Sequence, residues 1–149
     1  KALGLFDART KFMGPDGLYS PALVEQATPA AVNNNVYVTF AGLPPDRLPT
    51  QVGQRFYADY KAKYTEEPIG WAMYAYQATI VTLDAITRAG TKDRGKILEA
   101  LRQTKSFEGI TGSFSIDGNG DTDRTDMGGF LVKDNAFQFI GVISADKCP

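Results

Sequence analysis

A proline-rich segment divides the chain into parts of different character. Residues 42–49 read Gly-Leu-Pro-Pro-Asp-Arg-Leu-Pro. Proline fixes φ and has no amide hydrogen, so a run of this kind interrupts both helices and central strands. The segment therefore predicts a linker or boundary inside a chain of 149 residues, a length that fits one ordinary domain.

The residues before this segment predict a parallel α/β unit. Residues 10–14 favour a short strand that runs into a turn. Ser20 suits the N-cap of a helix and Pro21 its first position. Residues 36–40, Val-Tyr-Val-Thr-Phe, are rich in β-branched and aromatic side chains and predict a second strand. The order strand, turn, helix, strand indicates parallel pairing.

Three helices are predicted after the segment. Thr50 caps the first, the second runs from Gly70 to Ala89 and ends at Gly90, and the third covers about residues 93–103. The second helix is apolar almost all round, which predicts burial on several sides or a place between two layers. The aromatic side chains of the first two helices could stack on bases or sugars. Their helical spacing favours packing instead: Phe56, Tyr57, Tyr60, Tyr64, Trp71, Tyr74 and Tyr76.

The last part of the chain is strand-like. Residues 112–116 alternate in polarity, and residues 129–133 and 136–140 flank Asp134-Asn135, which predicts a hairpin with a short polar turn. Between them lies Asp117-Gly-Asn-Gly-Asp-Thr-Asp, whose start resembles a calcium loop. Thr122 stands where such a loop needs glycine and Gly128 where it needs glutamate, so a turn without metal is favoured.

The composition excludes several kinds of site. The chain has no histidine and one cysteine, which excludes Ser-His-Asp catalysis, histidine-ligated metals and an internal disulfide. Cys148 is interpreted as an exposed terminal thiol, with a partner thiol as the alternative. The net charge of −1 and the scattered basic residues do not favour nucleic-acid binding. Neither a signal peptide nor an apolar stretch of about 18 residues is visible.

Asp16 is the strongest candidate for chemistry. It follows a predicted strand and precedes a helix, at the sheet edge where α/β proteins bind ligands. An ionised carboxylate there could hold a substrate ammonium. The alternative is a turn aspartate that bonds its own backbone in Pro15-Asp16-Gly17, and the local sequence alone favours that alternative. Without a glycine-rich phosphate loop or a paired carboxylate, an enzyme has little support.

Residues 11–20, Lys-Phe-Met-Gly-Pro-Asp-Gly-Leu-Tyr-Ser, resemble the strand, turn and helix of type I periplasmic solute-binding proteins. The nearest group serves ABC transporters for branched-chain amino acids. Further segments resemble this family in the same order: 36–39, 56–64 with 67–68, 74–78, 84–86, 107–112 and 117–121. The resemblance therefore extends over nearly the whole chain.

The resemblance implies an α/β fold with two hinged lobes, of which this chain is the C-terminal part. Residues 1–41 would belong to the second lobe and residues 42–112 would return to the first lobe as helices. Residues 113–149 would form the hinge crossing and the terminal strands of the second lobe. The N-terminal portion of the protein would be missing, in agreement with an opening sequence that looks like the tail of a helix.

The family places an acidic residue at the Gly-Pro-Asp/Glu-Gly position to bind the α-ammonium of the ligand. The resemblance thus assigns this role to Asp16, and it implies that Gly17, Leu18 and Tyr19 line the pocket. The groups that bind the ligand carboxylate would lie in the missing portion. The implied partners are an amino acid or similar solute and a membrane permease, in the periplasm or outside the cell, with no cofactor, metal or nucleic acid.

Three other functions stay open at this point. The chain could belong to a sensory receptor or amide-sensing regulator of the same fold. It could be a small α/β enzyme, although it lacks histidine and any nucleophile motif. It could also be part of a swapped assembly that needs a partner chain. The identity of the ligand, among leucine, isoleucine, valine and related solutes, is not determined by the sequence.

Overall fold

The structure is a computed structural model that describes residues 10–27 and 34–143. The chain divides into two compact units. The sheet unit comprises Lys1–Leu43 and Thr125–Pro149, and the helical unit comprises Pro44–Arg124. Cys148 lies outside the described residues.

The described residues form six strands and four α-helices. The strands are β1 (Phe12–Gly14), β2 (Val36–Ala41), β3 (Phe107–Gly109), β4 (Gly112–Phe114), β5 (Met127–Lys133) and β6 (Ala136–Ile143). The helices are α1 (Pro21–Gln26), α2 (Gln51–Tyr64), α3 (Gly70–Ala89) and α4 (Arg94–Arg102). Short 3-10 turns cover Asp16–Leu18 and Pro45–Arg47.

The sheet unit contains a four-stranded sheet in the order β1-β2-β5-β6. β1 and β2 are parallel, which confirms the predicted α/β unit, and β5 and β6 are antiparallel to their neighbours. The Ser20 side chain caps α1 by accepting a hydrogen bond from the Ala22 N–H at 3.3 Å, with Pro21 in the first helical position as expected.

The core of the sheet unit lies between α1 and one face of the sheet. Three buried valines form its centre, Val36, Val38 and Val132. The helix and the turn before it pack against them through Leu18, Tyr19, Leu23, Val24 and Ala27. Each large apolar side chain buried in this way contributes about 1.5–3 kcal/mol. This packing fixes the segment from Asp16 to Tyr19 on the sheet.

The hairpin between β5 and β6 confirms the prediction from sequence. Asp134 and Asn135 both have positive φ, 53° and 59°, as the two central residues of a type I′ turn require. The register shifts between Gly129 and Phe130, where β6 has one extra, unpaired residue, Ile140.

The helical unit has the predicted caps at Thr50 and Gly90, and a further cap at Asp93. The Thr50 hydroxyl accepts a hydrogen bond from the Gly53 N–H at 2.9 Å and starts α2. The Asp93 carboxylate accepts one from the Lys96 N–H at 2.9 Å and starts α4. Gly90 ends α3 with a φ of 60°, a left-handed conformation that glycine adopts without strain.

A small hairpin, β3–β4, is fixed to the helices by two side chains. The Thr50 hydroxyl lies 2.9 Å from the Gly109 carbonyl oxygen and 3.1 Å from that of Ile110. The Ile110 N–H donates to the Gln77 Oε1 at 2.7 Å in a buried position. A Cβ at residue 109 would overlap the Gln77 amide, so a larger residue there requires Gln77 to move away from Ile110. The sequence analysis predicted β4 but not β3.

The sequence predicts that α3 is buried on several sides or lies between two layers, and this stays a prediction beyond the part of the chain that the structure describes. The helix buries one side only, through Gly70, Met73, Gln77, Val81 and Ala85. Trp71 is 49% exposed and Leu83 is 56% exposed on the other side. The aromatic side chains pack as the favoured interpretation expects, since the Phe56 and Tyr76 ring centroids lie 4.8 Å apart.

The helical unit ends between Arg124 and Thr125. The sequence analysis assigns residues 113–149 to a hinge crossing and the terminal strands, and the structure groups residues 113–124 with the helices. The assignment of either unit to a lobe of a larger protein stays a prediction.

Candidate functional site

The segment from Pro15 to Ser20 forms a tight connection at the carboxyl end of β1. The Leu18 N–H donates to the Pro15 carbonyl at 3.0 Å, and the Tyr19 N–H donates to the Asp16 carbonyl at 2.9 Å. The Ser20 N–H donates to the Leu18 carbonyl at 2.8 Å. Backbone groups alone therefore close this turn, and the Asp16 side chain is not needed for it.

The Asp16 carboxylate is exposed at this edge. Among residues 10–27 and 34–143, no hydrogen bond or ion pair to it is formed. The interpretation of Asp16 as a turn aspartate requires its carboxylate to accept a backbone hydrogen bond, and that bond is absent from the described part of the chain. The carboxylate is therefore available to a cationic group from outside the unit.

The residues that follow Asp16 divide between the surface and the core. Gly17 is exposed, with open space where a Cβ would lie. Leu18 and Tyr19 turn toward the sheet and pack against its buried valines. Their contacts place both side chains in a structural role, while the pocket role of Gly17, Leu18 and Tyr19 stays a prediction.

Tyr19 lies at the centre of an aromatic cluster. Its ring centroid is 4.4 Å from that of Phe130 and 4.8 Å from those of Phe40 and Phe137. Tilted aromatic pairs at such distances contribute about 0.5–1.5 kcal/mol each beyond their buried area. Three strands, β2, β5 and β6, thus determine where the turn with Asp16 sits.

A groove of ≈ 410 Å³ lies beside this turn. It is lined by Gly17, Leu18, Ser20, Ala22, Leu23, Gln26 and Ala27. None of these side chains carries a charge, and the volume falls within the range of small-molecule sites, about 300–1,000 Å³. The groove could accommodate an apolar group near Asp16, although Asp16 does not line it.

A second acidic residue, Asp126, lies at the same edge of the sheet. β2 ends at Ala41, which pairs with Met127, and the Gly42 N–H donates to the Asp126 carbonyl at 3.0 Å. Sequence reasoning did not select Asp126. The pairing of β5 with β2 joins residues far apart in the chain, so no local pattern could have placed Asp126 at this edge.

Asp117 belongs to a hydrogen-bonded turn, as the favoured interpretation expects. Its Oδ1 accepts from the N–H groups of Asn119, Gly120 and Asp121 at 2.8, 3.0 and 2.9 Å. These backbone bonds, chiefly that of Asp121, lower the pKa of Asp117. Within the described ranges, no group of three or more Cys, Asp or Glu side chains is placed to hold a metal ion.

The other shifted titratable groups also lie in the helical unit. The hydrogen bond from Lys61 to Glu67, 2.6 Å long, lowers the pKa of Glu67 and raises that of Lys61. Burial raises the pKa of Tyr74 to about 12, partly opposed by the charge of Arg124. None of the helices in residues 10–27 and 34–143 has the length and hydrophobicity needed to cross a membrane.

The chain resembles known proteins over most of its length. A family model described as periplasmic binding protein matches residues 1–135. The crystal structure of the leucine binding protein LivK from Thermotoga maritima is 34% identical with a TM-score of 0.81, and the match covers 91% of this chain and 38% of that one. No curated protein sequence matches.

Two further solved structures share the fold. LivJ from Streptococcus pneumoniae, a branched-chain amino acid transporter substrate binding protein in complex with isoleucine, is 27% identical, has a TM-score of 0.78, and matches 95% of this chain and 38% of its own. A substrate-binding protein from Desulfitobacterium hafniense in complex with Leu is 19% identical, has a TM-score of 0.70, and matches 93% and 37%. The chain thus spans less than two fifths of these proteins.

Proposed function

The chain belongs to the periplasmic binding protein family, and from that premise we propose that it is the C-terminal part of the solute-binding component of an ABC importer. The complete protein binds a branched-chain or related amino acid between two lobes. It works in the periplasm or outside the cell and delivers the amino acid to a membrane permease. No enzymatic step is part of this function.

The Asp16 carboxylate is the observation that carries the proposal. It lies at the carboxyl end of β1, is exposed, and is left without a hydrogen bond by the described residues. An α-ammonium group has three N–H donors and a positive charge, so it matches a carboxylate that accepts hydrogen bonds. The resemblance of the Gly-Pro-Asp-Gly sequence to the family motif supports the same role.

The mechanism is a shift between open and closed states. In the open state water hydrates the Asp16 carboxylate, which therefore needs no protein partner. When the ligand binds and the lobes close, the ammonium replaces this water, and the charge pair strengthens as water leaves. The ligand favours the closed state only to the extent that it binds that state more tightly. The permease then recognises the closed protein.

Calorimetry on the complete protein tests this proposal. We expect leucine, isoleucine or valine to bind, and Asp16→Asn to weaken binding by about 10- to 150-fold, since a hydrogen bond to a charged group is worth about 1.5–3 kcal/mol. Glu25→Gln is the matched control, because Glu25 is also exposed on the sheet unit but lies on the outer side of α1. We expect it to leave affinity unchanged.

A ligand without the ammonium group separates the proposed contact from general damage to the site. The carboxylic acid that matches the preferred amino acid but lacks the amine should bind weakly, and equally weakly to the Asp16→Asn variant. Equal affinity of the native protein and the variant for the amino acid would overturn the role of Asp16. The absence of binding for all amino acids would overturn the function itself.

A further inference from the structure

The turn between β4 and β5 contains the one Asn-Gly sequence of the chain, Asn119-Gly120. Asparagine is a chemically labile residue, and it is most labile before glycine, which has no Cβ to hinder the approach of its nitrogen to the asparagine side chain. Both residues are exposed, so water reaches them. In an unfolded chain this pair is expected to lose the side-chain amide of Asn119 spontaneously.

The reaction begins at the backbone nitrogen of Gly120. This nitrogen attacks the Cγ atom of Asn119 and closes a five-membered succinimide ring. The bond from Cγ to the side-chain nitrogen breaks, and that nitrogen leaves as ammonia with the proton that the Gly120 nitrogen gives up. Solvent water then opens the ring at either carbonyl carbon and leaves aspartate or isoaspartate at position 119. The reaction therefore needs only water and a free Gly120 nitrogen.

The structure occupies this nitrogen. The Gly120 N–H donates to the Asp117 Oδ1 at 3.0 Å, and its nitrogen lies 3.2 Å from the Asp117 carbonyl oxygen, which it also donates to. A hydrogen bond to an ionised carboxylate is roughly twice as strong as one between neutral groups. The nitrogen must leave both oxygen atoms before it can attack Asn119, so Asp117 slows the first step.

Asp117 also restrains the backbone on both sides of this nitrogen. Its Oδ1 accepts from the N–H groups of Asn119 at 2.8 Å and Asp121 at 2.9 Å. The Asp117 N–H in turn donates to the Asp121 carbonyl at 2.9 Å. Gly120 has a φ of 97°, a conformation that glycine adopts without strain. Ring closure requires the backbone to rotate about Asn119, and these hydrogen bonds oppose that rotation.

Packing adds little to this restraint. A Cβ at Gly118 or Gly120 would meet no atom within 4 Å, so the turn extends into solvent. Within the part of the chain that the structure describes, the side-chain amide of Asn119 forms no hydrogen bond. The backbone bonds, chiefly that of Asp121, lower the pKa of Asp117, so its carboxylate stays ionised at neutral pH and accepts hydrogen bonds.

We propose that Asn119-Gly120 is a latent deamidation site, which the Asp117 carboxylate keeps unreactive by holding the Gly120 N–H. Deamidation adds a negative charge at position 119, and an isoaspartate also adds a methylene group to the backbone. The turn precedes Arg124, the last residue of the helical unit, so the lesion lengthens the chain just before it enters the sheet unit. No ligand takes part, and the proposal is independent of the proposed function.

Slow ageing of the complete protein at neutral pH tests the proposal. Peptide mass spectrometry follows deamidation at Asn119, and the same protein unfolded in guanidinium chloride gives the unprotected rate. We expect the native rate to be about 10- to 150-fold lower, the ratio that corresponds to a hydrogen bond to a charged group. Asn135, which precedes Ala136, provides a slow reference in both states.

Variants of the same turn identify the protecting group. Asp117→Ala removes the acceptor, so the native rate should rise toward the unfolded rate. Asp117→Ser keeps a hydroxyl that accepts such bonds more weakly, and its rate should lie between the two. Asp121→Ala is the matched control, because it removes a carboxylate from the turn but keeps the N–H that bonds Asp117. We expect Asp121→Ala to deamidate at the native rate.

Several outcomes would overturn the proposal. Equal rates in the native and unfolded protein would show that the turn gives no protection, and this comparison needs no variant to fold. Equal acceleration by Asp117→Ala and Asp121→Ala would show that negative charge protects, rather than the bond to Gly120. A native rate that Asp117→Ala leaves unchanged would exclude Asp117. Hydrogen exchange of the Gly120 amide should accelerate in Asp117→Ala by a factor similar to that of deamidation.

Discussion

The helical unit and the sheet unit differ in what defines their elements. The helical unit has helices of 14, 20 and 9 residues, and residues adjacent in sequence start and end them. In the sheet unit β1 has 3 residues and α1 has 6. Such short elements are stable only through their partners in the fold. The helices of the helical unit are therefore determined mainly by local sequence, whereas β1 and α1 of the sheet unit depend on contacts with distant residues.

This difference bears on function, because the candidate ligand group lies in the unit that depends on distant contacts. Asp16 belongs to a turn whose backbone bonds are all local. The position of that turn on the sheet depends on Tyr19, which contacts rings from β2, β5 and β6. A mutation far from Asp16 in sequence can therefore displace its carboxylate.

The largest expected effect comes from cavities in the two cores. Phe130→Ala should cost the sheet unit about 3–5 kcal/mol, and Met73→Ala should cost the helical unit about 2–5 kcal/mol. Trp71, the single tryptophan, lies on α3 and reports on the helical unit. In urea unfolding we expect its fluorescence midpoint to fall more with Met73→Ala than with Phe130→Ala. Equal shifts would show that the two units unfold together.

A smaller effect comes from removing a helix cap in each unit. Thr50→Val removes the cap of α2 and the bond to the β3–β4 hairpin, and should cost about 1–2 kcal/mol. Ser20→Ala removes a longer cap bond of 3.3 Å on a six-residue helix and should cost about 0.5 kcal/mol. Thermal unfolding followed by circular dichroism measures both, with Thr50→Ser as a control that keeps the cap. If Ser20→Ala lowered the free energy of unfolding more than Thr50→Val, the sheet unit would depend on its helix cap more than the helical unit does.

The smallest effect concerns the boundary between the units. Because the pKa of Tyr74 is raised from 10.0 to about 12, the contribution of Tyr74 to folded stability is fully present below pH 10 and is lost as the pH rises toward 12. Arg124→Gln should raise this pKa further, since the cation no longer stabilises the tyrosinate. Tyrosinate absorbance measures the change, with Tyr74→Phe identifying the signal. If the pKa of Tyr74 were unchanged in Arg124→Gln, Arg124 would lie away from α3. The helical unit would then end before Arg124.

Sequence reasoning predicted the elements whose determinants are local. The caps at Thr50 and Ser20 and the turn at Asp134-Asn135 each depend on a few adjacent residues, and the structure has all of them. It missed β3, which is only three residues long and is held by Gln77 from α3. The apolar composition of α3 does not by itself show which of its faces have partners in the described structure.

In the candidate site, too, features with local determinants were predicted and features that depend on distant contacts were not. Position in the chain placed Asp16 at the end of a strand, and the motif supplied its expected role, but neither could show whether its carboxylate bonds the turn. The position of Asp126 could not be predicted from the sequence, because Asp126 is brought close to the carboxyl end of β2 by the antiparallel pairing of β5 with β2. Likewise, the family resemblance implies that Leu18 and Tyr19 line the pocket, and only the packed structure shows their contact with the sheet core.

The hydrogen bond between Gly42 and Asp126 has a consequence for engineering. The chain leaves the sheet unit just after Gly42 and re-enters it just before Asp126. The hydrogen bond between the Gly42 nitrogen and the Asp126 carbonyl oxygen, 3.0 Å long, holds these two points together. The helical unit is thus an insertion in the sequence between β2 and β5, which are neighbouring strands of the sheet. A short turn that joins β2 directly to β5 would turn them into an ordinary hairpin, and residues 44–124 could be exchanged as one block.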